Sequence, residues 1–291
     1  LNISDCCLKS IEFLKDLLEL PFLQNAVLAG ILCSLASGVV GTYVVLRRIT
    51  YIAAAISHCV LGGLGAARYF SVVYDLPWLK PAYGAVITAL AAALVIGWVS
   101  MKAKEREDSI ISALWAIGMA TGVLFIYKTP GYNEDLMNYL FGNILMVSRE
   151  DLFLIAGLDA ITIALTVMFY KQTVAVCFDE EYARTRGVKV EFYYLLMLCM
   201  TALTVVLTVN IVGIVMVIAL LTLPVAISAR LYNRVWKIML GAFTLGVFFT
   251  LTGLAVSYEP NLPSGAVTIV IAGIVYLASI IIQIIKNRKI S

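Results

Sequence analysis

The chain has 291 residues, of which 62% are hydrophobic and only 13% are charged, and its mean hydropathy is +0.97. This composition excludes an ordinary soluble globular domain and indicates an integral membrane protein. The formal net charge of +3 gives no reason to expect nucleic acid as a partner. The apolar stretches suit helical spans of about 20 residues rather than barrel strands of about ten. We therefore expect an all-α, polytopic bundle of eight or nine membrane-spanning helices.

The N-terminal segment predicts a helix that lies along the membrane surface. Residues 4–20 place apolar side chains such as Leu14 and Leu17 on one face and charged ones such as Lys15 on the other. Its mixed charges do not fit a cleavable signal peptide. We expect an amphipathic interfacial helix over residues 1–20 and a single transmembrane domain over residues 21–291, because no connector is long enough for a second soluble domain.

Apolar stretches predict the spans in chain order. Their expected ranges are about 22–46, 51–74, 82–101, 109–128, 151–170, 192–209, 211–229, 236–256 and 264–285. The predicted spans 192–209 and 211–229 are the least clearly separated, because only Asn210 and Gly213 interrupt the apolar run. A merged helix there would reduce the count to eight.

Most of the 21 basic residues fall in connectors on one side of the membrane if the spans alternate. These connectors begin near Arg47, Lys102, Lys171, Arg230 and Lys286. The excess of Lys and Arg in cytoplasmic connectors then places this side in the cytoplasm. The sequence therefore predicts an external N-terminus and a cytoplasmic C-terminus.

The only histidine, His58, lies in the apolar stretch AAISHCVLGG, residues 54–63. The small residues around it allow a neighbouring helix to approach closely or leave an open path. A neutral imidazole in such a place can bind a transition metal; the alternative is a histidine hydrogen-bonded to another helix. Cys59 is rotated about 100° from His58 on a helix, so we do not expect the two to share a metal. The six cysteines include no CxxC pair and are expected to be small buried apolar groups, with Cys6 and Cys7 undecided.

Asp159 is predicted to lie about eight residues inside its span. A carboxylate at that depth costs at least about 2.5 kcal/mol, so it marks either a functional site or a polar contact between helices. An intramembrane aspartyl protease would need a second carboxylate facing it, and Asp75, at the mouth of a span, is poorly placed. A P-loop and an HExxH motif are both absent from the sequence.

The connector FDEEYARTRGV, residues 178–188, carries the start and stop features of a short helix in solvent. These are an N-cap, two acids in the first turn, two arginines in the last turn and a glycine for the left-handed position: Asp179, Glu180, Glu181, Arg184, Arg186 and Gly187. The helix is either a solvated connector or a docking element for a cytoplasmic partner.

Six stretches in a fixed order resemble the zinc/manganese/iron-type permease subunits of bacterial metal ABC transporters. They are FLQNAVLAGILCSLASGVVGTYVVLRR, AAISHCVLGG, YLFGNILMVSRED, FDEEYARTRGV, NIVGIVMVIALLTLPVAISARL and NLPSGA, between about residues 22 and 285. The resemblance implies a homodimer in the bacterial cytoplasmic membrane, surrounded by lipid, that works with a cytoplasmic ATP-binding subunit and an external metal-binding protein. It also implies that residues 178–188 form the coupling helix, that the chain is not itself an enzyme, and that the metal is cargo rather than a permanently bound cofactor.

Two positions depart from the family's second-helix signature, in which a Pro-Gly pair follows the histidine and reads Gly62-Gly63 here. The aspartate that precedes the histidine by four residues is Ala54 here. His58 must then bind a cation alone or with oxygen donors from Ser57, Asp159 and Asn210. A site without that carboxylate suits Zn²⁺ better than the oxygen-preferring Mn²⁺. We therefore expect a zinc importer. The alternatives are a manganese, iron or iron-chelate permease of the same architecture, an intramembrane hydrolase built on Asp159, and a structural scaffold.

Overall fold

The computed structural model describes residues 19–102, 107–130, 136–142, 144–258, 260 and 262–288. This part of the chain is helical and contains no strand, which confirms the predicted all-α class. The predicted interfacial helix at residues 1–20, including Cys6 and Cys7, lies almost entirely outside the described residues.

The described residues form eleven α-helices and one short 3₁₀ turn, Ile144–Met146. In chain order the α-helices are α1 (Pro21–Leu46), α2 (Thr50–Val73), α3 (Pro81–Lys102), α4 (Glu107–Lys128), α5 (Leu136–Phe141), α6 (Arg149–Phe178), α7 (Glu180–Thr185), α8 (Val190–Val212), α9 (Ile214–Leu231), α10 (Val235–Tyr258) and α11 (Ser264–Arg288). All except α5 and α7 are long and apolar enough to cross a membrane, so the described chain has nine candidate spans, as predicted.

Helix α6 is longer than predicted. The sequence suggested an end near residue 170, because Lys171 and Gln172 follow the apolar run, but the helix continues to Phe178. A break in the helical backbone at Phe169 (φ −109°, ψ 17°) separates the predicted span from this extension. The extension stays helical because its buried side of Thr173, Val176 and Cys177 packs against the bundle.

Gly213 divides the long apolar run between α8 and α9, and Gly142 packs against it. Gly213 joins the two helices with φ +80°, and Gly142, which follows α5, has φ +67°. A Cβ atom on Gly213 would lie 2.3 Å from the backbone nitrogen of Gly142. Both positions therefore require glycine, for their conformation and for this close approach. The contact confirms that α8 and α9 are separate and seats α5 at this end of the bundle.

Helix α1 lies at the centre of one half of the bundle, where it packs against α6, α8, α9 and α10. Helix α2 forms the other half with α3 and α4. Large apolar side chains on α4, α6 and α11, such as Leu124, Val167 and Ile282, are exposed, as expected for faces that contact lipid or a partner. His58 therefore lies in the α2–α4 half, whereas Asp159 lies in the α1–α6 half.

Candidate functional site

Glycines bring α2 into close contact with both of its neighbours. A Cβ atom on Gly63 would lie 2.3 Å from the Gly84 carbonyl oxygen of α3, and one on Gly62 would lie 2.9 Å from the Gly118 carbonyl oxygen of α4. Contacts this short leave no room for a side chain. Of the two roles predicted for the small residues, the structure thus shows close helix packing. This packing fixes the position of His58.

The imidazole of His58 is only 8% exposed and stacks on the indole of Trp115 in α4. The ring centroids are 4.8 Å apart and the planes differ by 15°. Its Nδ1 atom has no hydrogen-bond partner in the described part of the chain. The expected alternative, a hydrogen bond to a neighbouring helix, is therefore not formed at Nδ1. The ring is held by its stacking on Trp115.

A shallow groove on α4 lies beside this pair. It is lined by Ser112, Trp115, Ala116, Met119, Ala120 and Val123. Trp115 is 39% exposed, so its ring faces both the groove and the imidazole.

The residues next to His58 do not complete a metal site in this arrangement. Ala54, one turn away, is buried and supplies no ligand. The Cys59 thiol points to the Leu114 carbonyl oxygen, at 3.4 Å, in agreement with the expectation that it does not act with His58. The hydroxyl of Ser57 is fully buried and donates to the carbonyl oxygen one turn earlier, at 2.8 Å.

Asn210 lies on α8, whereas His58 lies on α2. It is exposed near the end of α8, three residues before Gly213. Its Nδ2 atom donates to the Val206 carbonyl oxygen at 3.1 Å. This local bond holds the amide against its own helix.

Asp159 is 3% exposed, and neither carboxylate oxygen has a hydrogen-bond partner among the described residues. It lies on α6, which packs against α1 and α8. A catalytic pair of carboxylates shares a proton through a hydrogen bond, and no such bond forms here. Asp75 lies in the turn after α2, with φ +51°. The described residues thus give no support to the predicted alternative of an aspartyl protease.

In the described part of the chain, no hydrogen bond or ion pair joins any two of the predicted ligands. Across residues 19–102 and the other described ranges, no cluster of three or more His, Cys, Asp or Glu side chains is placed to hold a metal ion. Ser57 and Asn210 donate to carbonyl oxygens of their own helices, His58 stacks on Trp115, and Asp159 has no hydrogen-bond partner among the described residues.

The connector after α6 forms the expected short helix, α7. The Asp179 side chain accepts a hydrogen bond from the Tyr182 amide at 2.9 Å, which makes it the N-cap. Gly187 has φ +77°, as expected for the position after the helix. Glu180 of α7 forms an ion pair with Arg47, at the end of α1. The sequence predicted the caps but not this contact.

The contact of Trp115 with His58 was not predicted from the sequence. The stack joins residues far apart in the chain, and a tryptophan in an apolar span has no feature that marks it as a histidine partner. The glycine spacing did contain a clue. Gly62 and Gly65 of α2 meet Gly118 and Gly122 of α4, so two small-residue patterns of similar spacing face each other.

Comparisons with known proteins agree with this architecture. A sequence model of the ABC 3 transport family matches residues 19–283. A probable metal transport system membrane protein from Chlamydia muridarum is 37% identical over 263 residues, which cover 90% of this chain and 89% of the relative. A manganese transport system membrane protein from Listeria monocytogenes is 33% identical over 265 residues, 91% of each chain. Among solved structures, PsaBC from Streptococcus pneumoniae in complex with Fab matches with a TM-score of 0.81 and 29% identity, covering 92% of this chain and 94% of that one.

Proposed function

We propose that this chain, which belongs to the ABC 3 transport family, is the permease subunit of an ATP-driven importer for a divalent transition metal ion, with zinc as the first candidate. ATP hydrolysis belongs to a separate cytoplasmic subunit that contacts residues 179–187, and an external metal-binding protein delivers the ion. The chain spans the cytoplasmic membrane of a bacterium. Its basic end, at Arg47, Lys102 and the C-terminus of α11, faces the cytoplasm.

The observation that carries the proposal is the surroundings of His58. A buried imidazole with an unpaired Nδ1 atom lies behind a groove, and the position one turn earlier is Ala54 rather than a carboxylate. Nitrogen ligands suit Zn²⁺, whereas Mn²⁺ prefers oxygen. We propose that His58 contacts the ion and that Asp159, Ser57 and Asn210 do not contact it in this arrangement.

Manganese is the second candidate cargo. It is favoured by the Listeria relative, which is named as a manganese transport protein and matches over nearly the whole chain. A bulky iron chelate suits the site less well, because Trp115 stacks on His58 and covers one face of its ring.

We propose that two copies of the chain assemble with their α4 faces toward each other. The exposed groove of α4 lies directly in front of Trp115 and His58. A second copy there would enclose the groove and separate the ion from lipid. The path would then run between the copies, with one His58 on each side.

The test is uptake of radioactive zinc and manganese by cells that express the chain with its ATPase and its binding protein. We expect His58→Ala to lower zinc uptake at least about tenfold, because the transition-metal ligand is lost. Cys59→Ala is the matched control: it changes the adjacent side chain, which points to Leu114, and should retain uptake within about twofold. If the His58→Ala variant takes up zinc at the wild-type rate, the histidine is not on the path. If the wild-type protein takes up neither zinc nor manganese, the proposed importer is refuted.

A further inference from the structure

The last turn of α1 places Arg47 in a fixed position. Arg47 is the C-cap, and its amide donates to the Tyr43 carbonyl oxygen at 2.9 Å. Arg48 then takes the left-handed conformation, with φ +62°, and the Ile49 amide donates back to Val44 at 3.0 Å. These bonds close the helix end as a Schellman-type cap. The side chain of Arg47 therefore starts from a well-defined backbone.

This side chain reaches into the space between α7 and α8. Its guanidinium pairs with Glu180, the first residue of α7. It also lies over the Tyr194 ring of α8, 5.7 Å from the ring centre. The Arg47 side chain is 24% exposed and that of Glu180 is 39% exposed, so the pair is partly shielded from solvent. One cation thus connects α1, α7 and α8.

Tyr194 extends the connection to a fourth helix. Its hydroxyl is 3.0 Å from the Ser100 hydroxyl near the end of α3, and its side chain is buried. Arg47, Ser100, Glu180 and Tyr194 line one cavity at the basic end. Among these groups, the Arg47–Glu180 pair is the direct contact between α7 and α1, the helix that packs against α6, α8, α9 and α10.

We propose that Arg47 is a positioning residue for transport, which transmits movement of α7 to α1 through its ion pair with Glu180. The inference rests on the proposed function, in which the ATPase moves α7. The chain itself already ties α7 to α6 and α8, its neighbours in sequence, and the ion pair adds a direct contact between α7 and α1, which is remote in sequence. Partly exposed ion pairs contribute little to stability, so the loss of Arg47 should impair the transmission of movement rather than folding.

The first experiment measures zinc uptake and ATP hydrolysis together, in proteoliposomes that contain the chain, its ATPase and its binding protein. In Arg47→Glu and in Glu180→Arg, we expect the amount of zinc moved per ATP to fall about tenfold, because like charges now repel α7 from the end of α1. The double variant Arg47→Glu with Glu180→Arg restores the opposite charges and should recover at least about half of the wild-type ratio. Arg48→Glu is the matched control, because it makes the same charge change at the next residue, whose side chain is exposed, and should retain the wild-type ratio.

A second measurement does not depend on transport. Hydrogen exchange of residues 180–188 in the purified chain should be faster in Arg47→Glu than in the wild type and unchanged in Arg48→Glu. Equal exchange rates in the wild type, Arg47→Glu and Arg48→Glu would overturn the role of the pair. So would a double variant that moves as little zinc per ATP as the single variants. If the wild type moves no metal, the proposed function fails and the exchange rates alone decide whether Arg47 holds α7.

Discussion

His58 and Asp159 are both ionisable side chains inside apolar helices, and the bundle surrounds them in different ways. His58 lies on a helix locked by glycine contacts, stacked on an aromatic ring that also borders a groove. Asp159 lies on α6, the helix that packs against α1 and α8, with no hydrogen-bond partner in the described chain. The cost of burying a polar group in a membrane marks both as functional candidates. The stacking of His58 on Trp115, which lines the groove on α4, favours His58 as the residue on the path.

The helices that carry these two residues also differ in how much change they tolerate. A Cβ atom on Gly63 would lie 2.1 Å from the Thr88 hydroxyl oxygen, whereas one on Gly157, two residues before Asp159, would meet nothing within 4 Å. We expect Gly63→Ala to destabilise the bundle by about 1–3 kcal/mol through overpacking. Gly157→Ala should be neutral or stabilise by up to about 1 kcal/mol, since alanine favours helix. Thermal unfolding in detergent measures both; similar melting temperatures for the two variants would contradict the tight packing of α2.

A carboxylate placed beside His58 tests whether the ligand type sets the choice of metal. Ala54 lies one turn from His58, on the same face of α2, so Ala54→Asp puts an oxygen ligand next to the imidazole. We expect the ratio of zinc to manganese uptake to fall about tenfold, because hard oxygen ligands favour Mn²⁺. Ala54→Asn is the control, because asparagine has nearly the same size as aspartate but carries no charge. An equal change of the ratio in both variants would mean that shape, and not charge, sets the selectivity.

Local features of the structure could be predicted and contacts between distant segments could not. The number of spans follows from the length of the apolar stretches. The caps of α7 follow from Asp179 and Gly187, because capping residues act within one turn of the helix. The end of α6 was placed too early, because Lys171 and Gln172 look like the exit from a membrane although buried side chains beyond them keep the helix packed.

The candidate site was predicted only in part, for the same reason. His58 is conspicuous as the single histidine, but its neighbour Trp115 comes from another helix. Likewise, Arg47 was predicted only as one of many basic residues that set the orientation, and its contact with Glu180 depends on how α1 and α7 meet. Which donors surround a buried group is decided by helix packing, and the pattern within one helix does not contain that information.

The smallest expected effect is that of Asp159→Asn on zinc uptake. The substitution keeps the size of the side chain and removes the carboxylate, which has no hydrogen-bond partner among the described residues and lies in the half of the bundle opposite the α4 groove. We expect uptake to stay within about twofold of the wild type, against at least about tenfold loss in His58→Ala, because only the histidine borders the proposed path. The uptake assay described above measures both variants side by side. A loss in Asp159→Asn as large as that in His58→Ala would place the path through the α1–α6 half as well and would remove the distinction between the two residues.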